Sequence, residues 1–309
     1  MSVTRSIVIP AFNEVARLSP GFDRLAPVLA QWGPDSTEVV FVDDGSTDAT
    51  MATIAQIYGH LPHLKVVSQP TNLGKGAAVR LGWASAVGAH VFTMDADMAI
   101  DPRHLPEIDA ALGTHAFVPG NRASGGSIRY DSWFRSVAGV VFHQVVAHYT
   151  DTRLRDTQCG CKGFQLPFAR LLGLFGMIDG FAYDAELFYL ARRLAVAPFP
   201  ATVTWEDVSG STVSRRGSVQ LLRDLRAIPR TTYQTAAVRV EQELTAADLR
   251  ASAISMRQRG LVVARWPGRS IIVFPRDGGL NAVTMAKDFD GTVGVVSPEG
   301  FVGATLEAI

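Results

Sequence analysis

Cysteine is scarce in this chain of 309 residues, with only Cys159 and Cys161 present. Residues two apart seldom reach disulfide geometry without strain, so the pair reads as reduced thiols in a reducing compartment. A zinc site is excluded on ligand count, because no histidine cluster completes the four ligands it needs. Net charge is also lacking: 29 Lys and Arg balance 29 Asp and Glu. That balance removes a global electrostatic case for nucleic acid as a partner. Long apolar runs are missing as well. The run from Leu171 to Ile178 lies between Arg170 and Asp179, well short of the ~20 residues a membrane-crossing helix requires. Near the start, Ser6-Ile7-Val8-Ile9 runs into Pro10 and then Asn13-Glu14, which is not a secretory signal. The expectation is a cytoplasmic protein, soluble or peripheral at the cytoplasmic membrane face.

What is present is a globular composition, 47% hydrophobic and 19% charged, which excludes general disorder. Through the first hundred residues, short β-branched runs alternate with stretches of helical apolar spacing, the pattern of βαβ units feeding a parallel sheet. The predicted strands are Arg5–Ala11, Glu38–Val42, Leu64–Ser68 and His90–Met94. Between them helices are predicted over Glu14–Trp32, Asp48–Tyr58 and Gly74–Val87, the second capped from Ser46-Thr47-Asp48. Further on, Asp184–Leu194 reads as a helix and Val196–Thr204 as a strand.

An amphipathic stretch carrying Trp133, Phe134, Val137, Val140, Val141 and Val145 suits either a core-packing helix or a lipid-contacting face. His143 and His148 on it are five apart, which is not the spacing of one helix face. From Ser214 to Arg230, five arginines stand against Asp224 alone; such a segment is a solvated helix face or one attracted to an anionic membrane surface. Past Ala246 short β-type runs separated by Gly and Pro predict a small β-rich appendage, dividing the chain into residues 1–245 and 246–309.

In a parallel α/β sheet, ligands bind beyond the carboxyl ends of the strands. Three predicted strands run there into polar clusters: Pro10-Ala11-Phe12-Asn13-Glu14, Asp43-Asp44-Gly45-Ser46 and Asp95-Ala96-Asp97. Any one cluster could be turn or capping chemistry; three on one edge indicate a site. Asp95 and Asp97, two apart on an extended segment, present carboxylates to one side. Hard oxygen ligands of this kind suit Mg²⁺ or Mn²⁺, with phosphates and water completing the shell. A phosphorylated substrate follows. No glycine-rich dinucleotide fingerprint follows the first strand, and Asn72-Leu73-Gly74-Lys75-Gly76 lacks P-loop spacing.

These motifs, in this order, resemble family 2 glycosyltransferases of the GT-A fold and, within them, the polyprenyl-phosphate sugar synthases. Three later segments narrow the likeness to the dolichyl-phosphate β-glucosyltransferases: Asp156-Thr157-Gln158-Cys159-Gly160-Cys161-Lys162-Gly163-Phe164, Gly180-Phe181-Ala182-Tyr183-Asp184-Ala185-Glu186-Leu187, and Trp205 followed by Gly210-Ser211. The resemblance implies a Rossmann-like, mostly parallel sheet flanked by helices and an inverting, metal-dependent transfer of glucose, or mannose, from a nucleoside diphosphate sugar, UDP-glucose favoured, to a polyprenyl phosphate. It implies substrate binding by Pro10, Ala11, Phe12, Glu14, Asp43, Asp44, Lys75, Asp95, Ala96, Gln158 and Lys162, with Asp95 and Asp97 toward the metal. Arg122, Arg129 and Arg135 match the place where lipid-phosphate synthases gather arginines, which suit phosphate because the guanidinium fork stays charged and bonds in bidentate fashion; surface arginines on a polar loop are the plainer reading. Relatives carry a basic residue after the Gly-Ser pair, whereas here Thr212-Val213 follows, with Arg215 and Arg216 beyond.

A phosphate acceptor is already an anion and needs orientation rather than a base. A soluble hydroxyl acceptor would need a carboxylate nearby, and Asp184 stands where alcohol-using relatives place theirs. Asp184 and Glu186 equally suit a helix-start cap and first-turn acid. A third reading is a non-catalytic nucleotide-sugar sensor.

Overall fold

The structure is a computed structural model and describes residues 3–122, 154, 156–206, 215–240, 261–266, 269–274, 292–301 and 304–308. The first element, β1 (Arg5–Ala11), is followed by α1 (Val15–Trp32), β2 (Thr37–Asp43), α2 (Thr50–Tyr58), β3 (Leu64–Ser68), α3 (Lys75–Ser85) and β4 (His90–Thr93). Then come α4 (Leu105–Leu112), β5 (Phe117–Asn121), β6 (Lys162–Gln165), α5 (Leu166–Phe175), α6 (Tyr183–Arg193), β7 (Ala201–Thr202) and α7 (Arg215–Ala227). These strands form a seven-stranded sheet in the order β3-β2-β1-β4-β6-β5-β7. Neighbours β3, β2, β1 and β4 are parallel, and β6 runs antiparallel to both β4 and β5. The α/β class and mostly parallel sheet expected from the alternating pattern are therefore what the chain adopts.

Strand β2 is buried along its whole length, as befits a strand with helices on both faces. Helix α1 turns Leu18, Gly21, Leu25, Val28 and Leu29 inward, and each large apolar side chain so buried contributes about 1.5–3 kcal/mol. Gly21 has a specific duty. A Cβ there would stand 2.6 Å from the carbonyl oxygen of Ala96, so the missing side chain lets α1 lie directly against the loop that follows β4. Behind the sheet, Trp83 of α3 is fully buried and donates its indole N–H to Thr93 Oγ1 at 3.0 Å, which locks helix to strand just before that same loop.

The predicted strand Val196–Thr204 shrinks to the two residues of β7 beside β5. Pro198 and Pro200 cannot donate to a ladder, and Ala195 enters the segment with a positive φ of 56°. The amphipathic stretch around Trp133–Val145 lies outside the described residues.

The remaining strands, β8 (Thr235–Val240), β9 (Val262–Trp266), β10 (Arg269–Val273), β11 (Thr292–Val296) and β12 (Thr305–Ala308), make an antiparallel sheet ordered β11-β8-β10-β9-β12. Its first strand precedes residue 246. Ala237, Val262, Ala264, Ile271 and Val273 join the hydrophobic core formed by α5 and α6, Phe175 meets Phe301 edge to face at 5.8 Å, and Arg193 of α6 pairs with Glu299. The small sheet is thus packed against α5 and α6 on the helical face of the main sheet.

Candidate active site

The parallel arrangement brings the carboxyl ends of β1, β2 and β4 side by side, and the polar clusters with them. Beyond β1 the chain bends sharply at Asn13, which takes a positive φ of 56°, a conformation asparagine tolerates better than most residues. The bend is tied to the loop after β2: Asn13 N–H donates to Ser46 Oγ at 3.0 Å, Thr47 N–H to Asn13 Oδ1 at 2.9 Å, and Glu14 N–H to Thr50 Oγ1 at 2.8 Å. Of the capping side chains expected at Ser46-Thr47-Asp48, only Asp48 bonds the start of α2, accepting from Thr50 N–H at 2.9 Å. The N-cap itself is Ala49, without a side-chain cap bond, because the Ser46 and Thr47 hydroxyls are engaged in joining the two loops.

On this rim Pro10 is half-buried, Ala11 buried, and Phe12 42% exposed, an aromatic face available to a ligand. Asp43 and Asp44 are both buried but differ in what remains available. Asp43 Oδ1 accepts from Ser46 N–H at 3.1 Å. Both oxygens of Asp44 accept backbone bonds, from Leu73 N–H at 2.8 Å and Gly74 N–H at 2.9 Å. Asp44 therefore shapes the turn that starts α3, with Gly74 at a φ of 111° that favours glycine. Burial pushes the Asp44 carboxyl up despite those bonds. Glu14 pairs with Arg17 at 2.8 Å, and its carboxyl is raised by burial against the pull of that arginine, with Asp97 and Asp95 adding repulsion.

After β4, Asp95 faces Lys75 from the first turn of α3, Nζ to Oδ1 at 2.6 Å. Burial works against the Asp95 charge, yet Lys75, together with Lys162 and Arg122, outweighs it and holds this carboxyl below its ordinary value. Asp97 accepts from Ala99 N–H at 3.0 Å; burial and then the neighbouring Asp95 push its carboxyl up. Between them Ala96 is buried, and Met98 holds a positive φ of 46°, a backbone cost of about 1–3 kcal/mol of the kind stored at functional loops. A cleft of about 100 Å³ opens here, lined among others by Asp95, Asp97, Arg122, Gln158, Gly160 and Trp205. Among the described residues, no three His, Cys, Asp or Glu side chains gather as a metal cage. Two repelling carboxylates at a cleft fit a hard divalent cation that draws its other ligands from a diphosphate and water.

The segment from Asp156 to Lys162 forms the wall opposite. Asp156, 4% exposed, takes the Arg122 guanidinium in a fork, Nε to Oδ2 at 2.7 Å and Nη2 to Oδ1 at 2.8 Å, and accepts Arg122 N–H at 2.9 Å. Arg122 therefore reaches the cleft with its orientation already set. Gln158 is exposed at the cleft and Gly160 touches Asp95: a Cβ on Gly160 would fall 2.1 Å from Asp95 Oδ2. Lys162 is 1% exposed. Its Nζ lies 2.8 Å from Asp184 Oδ1 and donates to the Cys159 carbonyl. Lys162 thus supports the wall from behind. Cys159 and Cys161 are buried free thiols, and burial pushes Cys159 up to about 11.

Asp184 and Glu186 are the first-turn acids of α6, as expected, but neither caps it: the N-cap is Ala182 without a side-chain bond. Asp184 turns to Lys162. Glu186 accepts from Met177 N–H at 2.9 Å and Ile178 N–H at 3.0 Å, fixing the loop beside Gly76; burial pushes its carboxyl up. Arg129, Arg135, Gly210 and Ser211 lie outside the described residues, as do the side chains of Arg215 and Arg216. Met98 and the partnerships of Asp156 and Lys162 were not anticipated; the only available signal was their place within or beside the quoted motifs.

A model of the family described as glycosyl transferase family 2 matches residues 6–171. A dolichyl-phosphate beta-glucosyltransferase of Drosophila melanogaster is 34% identical over 241 residues, covering 72% of this chain and 74% of the relative. Its Homo sapiens counterpart is 32% identical over 254 residues, covering 77% and 78%. Among solved structures, glucosyl-3-phosphoglycerate synthase from Mycobacterium tuberculosis in complex with Mn²⁺, uridine diphosphate and glucosyl-3-phosphoglycerate superposes with a TM-score of 0.55 at 18% identity, covering 73% of this chain and 80% of that one. The sheet order, the carboxylate rim and these matches converge: the chain belongs to glycosyl transferase family 2 and has the GT-A fold.

Proposed function

We propose that the protein is an inverting hexosyltransferase that moves glucose from UDP-glucose to a polyprenyl phosphate, with Mg²⁺ or Mn²⁺ held between Asp95, Asp97 and the donor diphosphate. The observation that carries the acceptor class is the buried Lys162–Asp184 ion pair. A general base must release its charge to a substrate proton, and Asp184 could do so only by leaving a buried ammonium without its partner, which is costly. A phosphate acceptor makes no such demand, since its oxygen is already anionic. The names of the dolichyl-phosphate relatives agree with this class, and the Mn²⁺ and uridine diphosphate in the structural neighbour agree with the donor chemistry.

The geometry supports a division of labour among these residues. Phe12 offers its exposed ring, and Asp43 its carboxylate, to the nucleoside, while Asp44 keeps the turn that delivers Lys75. Arg122, oriented by Asp156, takes the acceptor phosphate in the same cleft. The divalent cation supplies Lewis-acid stabilisation of the leaving diphosphate. Attack on the anomeric carbon from the acceptor side breaks the sugar–phosphate bond and inverts the centre. Among the described residues no helix is long and apolar enough to cross a membrane; a peripheral position at the cytoplasmic membrane face would bring the cleft to a lipid phosphate.

The test is nucleotide release from UDP-glucose, GDP-mannose and UDP-GlcNAc with short polyprenyl phosphates and, separately, with soluble hydroxyl acceptors. Turnover only with the lipid phosphate supports the reading; turnover only with hydroxyls overturns it, and nucleotide binding without transfer to either identifies a sensor. In the same assay Asp97→Ala removes the Mn²⁺ dependence of UDP affinity. Unchanged affinity with and without Mn²⁺ in that variant defeats the metal assignment.

A further inference from the structure

We propose that Lys75 is an exchangeable counter-ion of Asp95 that makes divalent-cation binding conditional on the nucleotide diphosphate. The inference rests on the metal site just described and deepens it. Asp95 is already partnered: its Oδ1 takes the Lys75 ammonium at 2.6 Å, while Oδ2 lies close to Gly160, where a Cβ would stand 2.1 Å away. Asp97 has Oδ1 engaged by Ala99 N–H, and no third acidic or imidazole side chain joins them among the described residues. A cation arriving alone meets one carboxylate already neutralised and a second that is partly engaged, so it binds weakly.

A diphosphate changes the competition. Lys75 is the first residue of α3, its stem is a flexible four-carbon chain, and its ammonium is a compact point charge that bonds phosphate oxygens as readily as a carboxylate. Near it lies the face of the Tyr183 ring, 5.9 Å from Nζ, a weak cation–π contact that steadies the ammonium without fixing it to one anion. Transfer of Nζ from Asp95 to phosphate frees Oδ1 for the cation at the moment the phosphate oxygens complete its shell. No bond is made or broken; the device is an exchange of ion partners, and the two ligands become thermodynamically coupled.

The test is Mn²⁺ binding to the full chain, followed by electron paramagnetic resonance of free Mn²⁺ and by calorimetry, with and without UDP. Wild type should take up Mn²⁺ weakly alone and about tenfold or more tightly with UDP, in the range of ordinary coupling between sites. Lys75→Met should bind Mn²⁺ alone about tenfold more tightly than wild type, and the effect of UDP should shrink correspondingly. A gain of affinity cannot arise from a damaged fold. In the Lys75→Met/Asp95→Asn double variant the gain should vanish, and Lys75→Arg should retain the wild-type coupling. Unchanged or weaker Mn²⁺ binding to Lys75→Met alone, with UDP-dependent uptake intact in wild type, overturns the exchange while leaving the metal site standing. Absence of Mn²⁺ uptake by wild type even with UDP overturns both.

Discussion

Lys162 and Asp184, 1% and 5% exposed, form a buried ion pair of 2.8 Å that joins the wall of the cleft to the first turn of α6. The pair separates two roles that Asp184 could have in a transferase. As a general base its loss would cost 10²–10⁴-fold in rate. As the counter-charge of Lys162, its loss leaves a buried cation uncompensated and costs about 3 kcal/mol or more of stability. Asp184→Asn is therefore expected to lower the urea midpoint clearly, while the folded fraction transfers sugar to polyprenyl phosphate with a kcat within about tenfold of wild type, below the range for a lost base. A kcat drop of a thousandfold at full folding would return Asp184 to the base role.

Gly160 has its importance in the space it leaves. A methyl group there would meet Asp95 Oδ2 at 2.1 Å, a contact that real atoms do not sustain, so Asp95 or the loop must move. Gly160→Ala is expected to weaken UDP–Mn²⁺ binding by at least about tenfold, on the scale of the cost of misplacing a functional group by about an ångström. Calorimetric titration with UDP and Mn²⁺ measures it. Wild-type affinity in this variant would show that Asp95 does not need its present position.

Asp156 makes stability depend on pH in a definite direction. Burial disfavours its charge, but the Arg122 fork and nearby Lys162 win and hold its carboxyl below the ordinary 3.8. A group depressed in the folded state contributes stability that is complete above its unfolded pKa and is lost as pH falls through the folded one. Asp156→Asn should lose about 2 kcal/mol at pH 7, the scale of a charged hydrogen-bonded pair with one member partly exposed. The gap to wild type should close on acidification below about pH 4. Urea melts of both proteins from pH 7 to pH 3 test this; a constant gap across that range would remove the pair from the acid response.

Much of the architecture was legible in the chain because the informative signals are local. Strands β1 and β3 have the predicted limits, Arg5–Ala11 and Leu64–Ser68, since β-branched runs there end abruptly in polar turn residues. Helix α1 passes Pro20 and Pro27 without ending, and its apolar spacing predicted that continuity. The strand predicted after Val196 is cut short for an equally local reason, since Pro198 and Pro200 cannot donate to a ladder. The reversed direction of β6 had no local signal. An antiparallel neighbour between β4 and β5 depends on how a distant part of the chain returns to the sheet, and each face of such a strand is buried whichever way it runs.

The sequence by itself determined that βαβ units build a parallel sheet and that acidic clusters follow three of its strands, because hydrophobic periodicity and turn chemistry act over a few residues. Only the tertiary structure decided which acids remain available. Asp44 is engaged by the backbone of Leu73 and Gly74, Asp95 by Lys75, Asp156 by Arg122 and Asp184 by Lys162. These partners lie about 20 to 35 residues apart along the chain. Charge and hydrogen-bond interactions decay over a few ångströms of space, so no spacing in the sequence can assign them before the fold has brought the strand ends together.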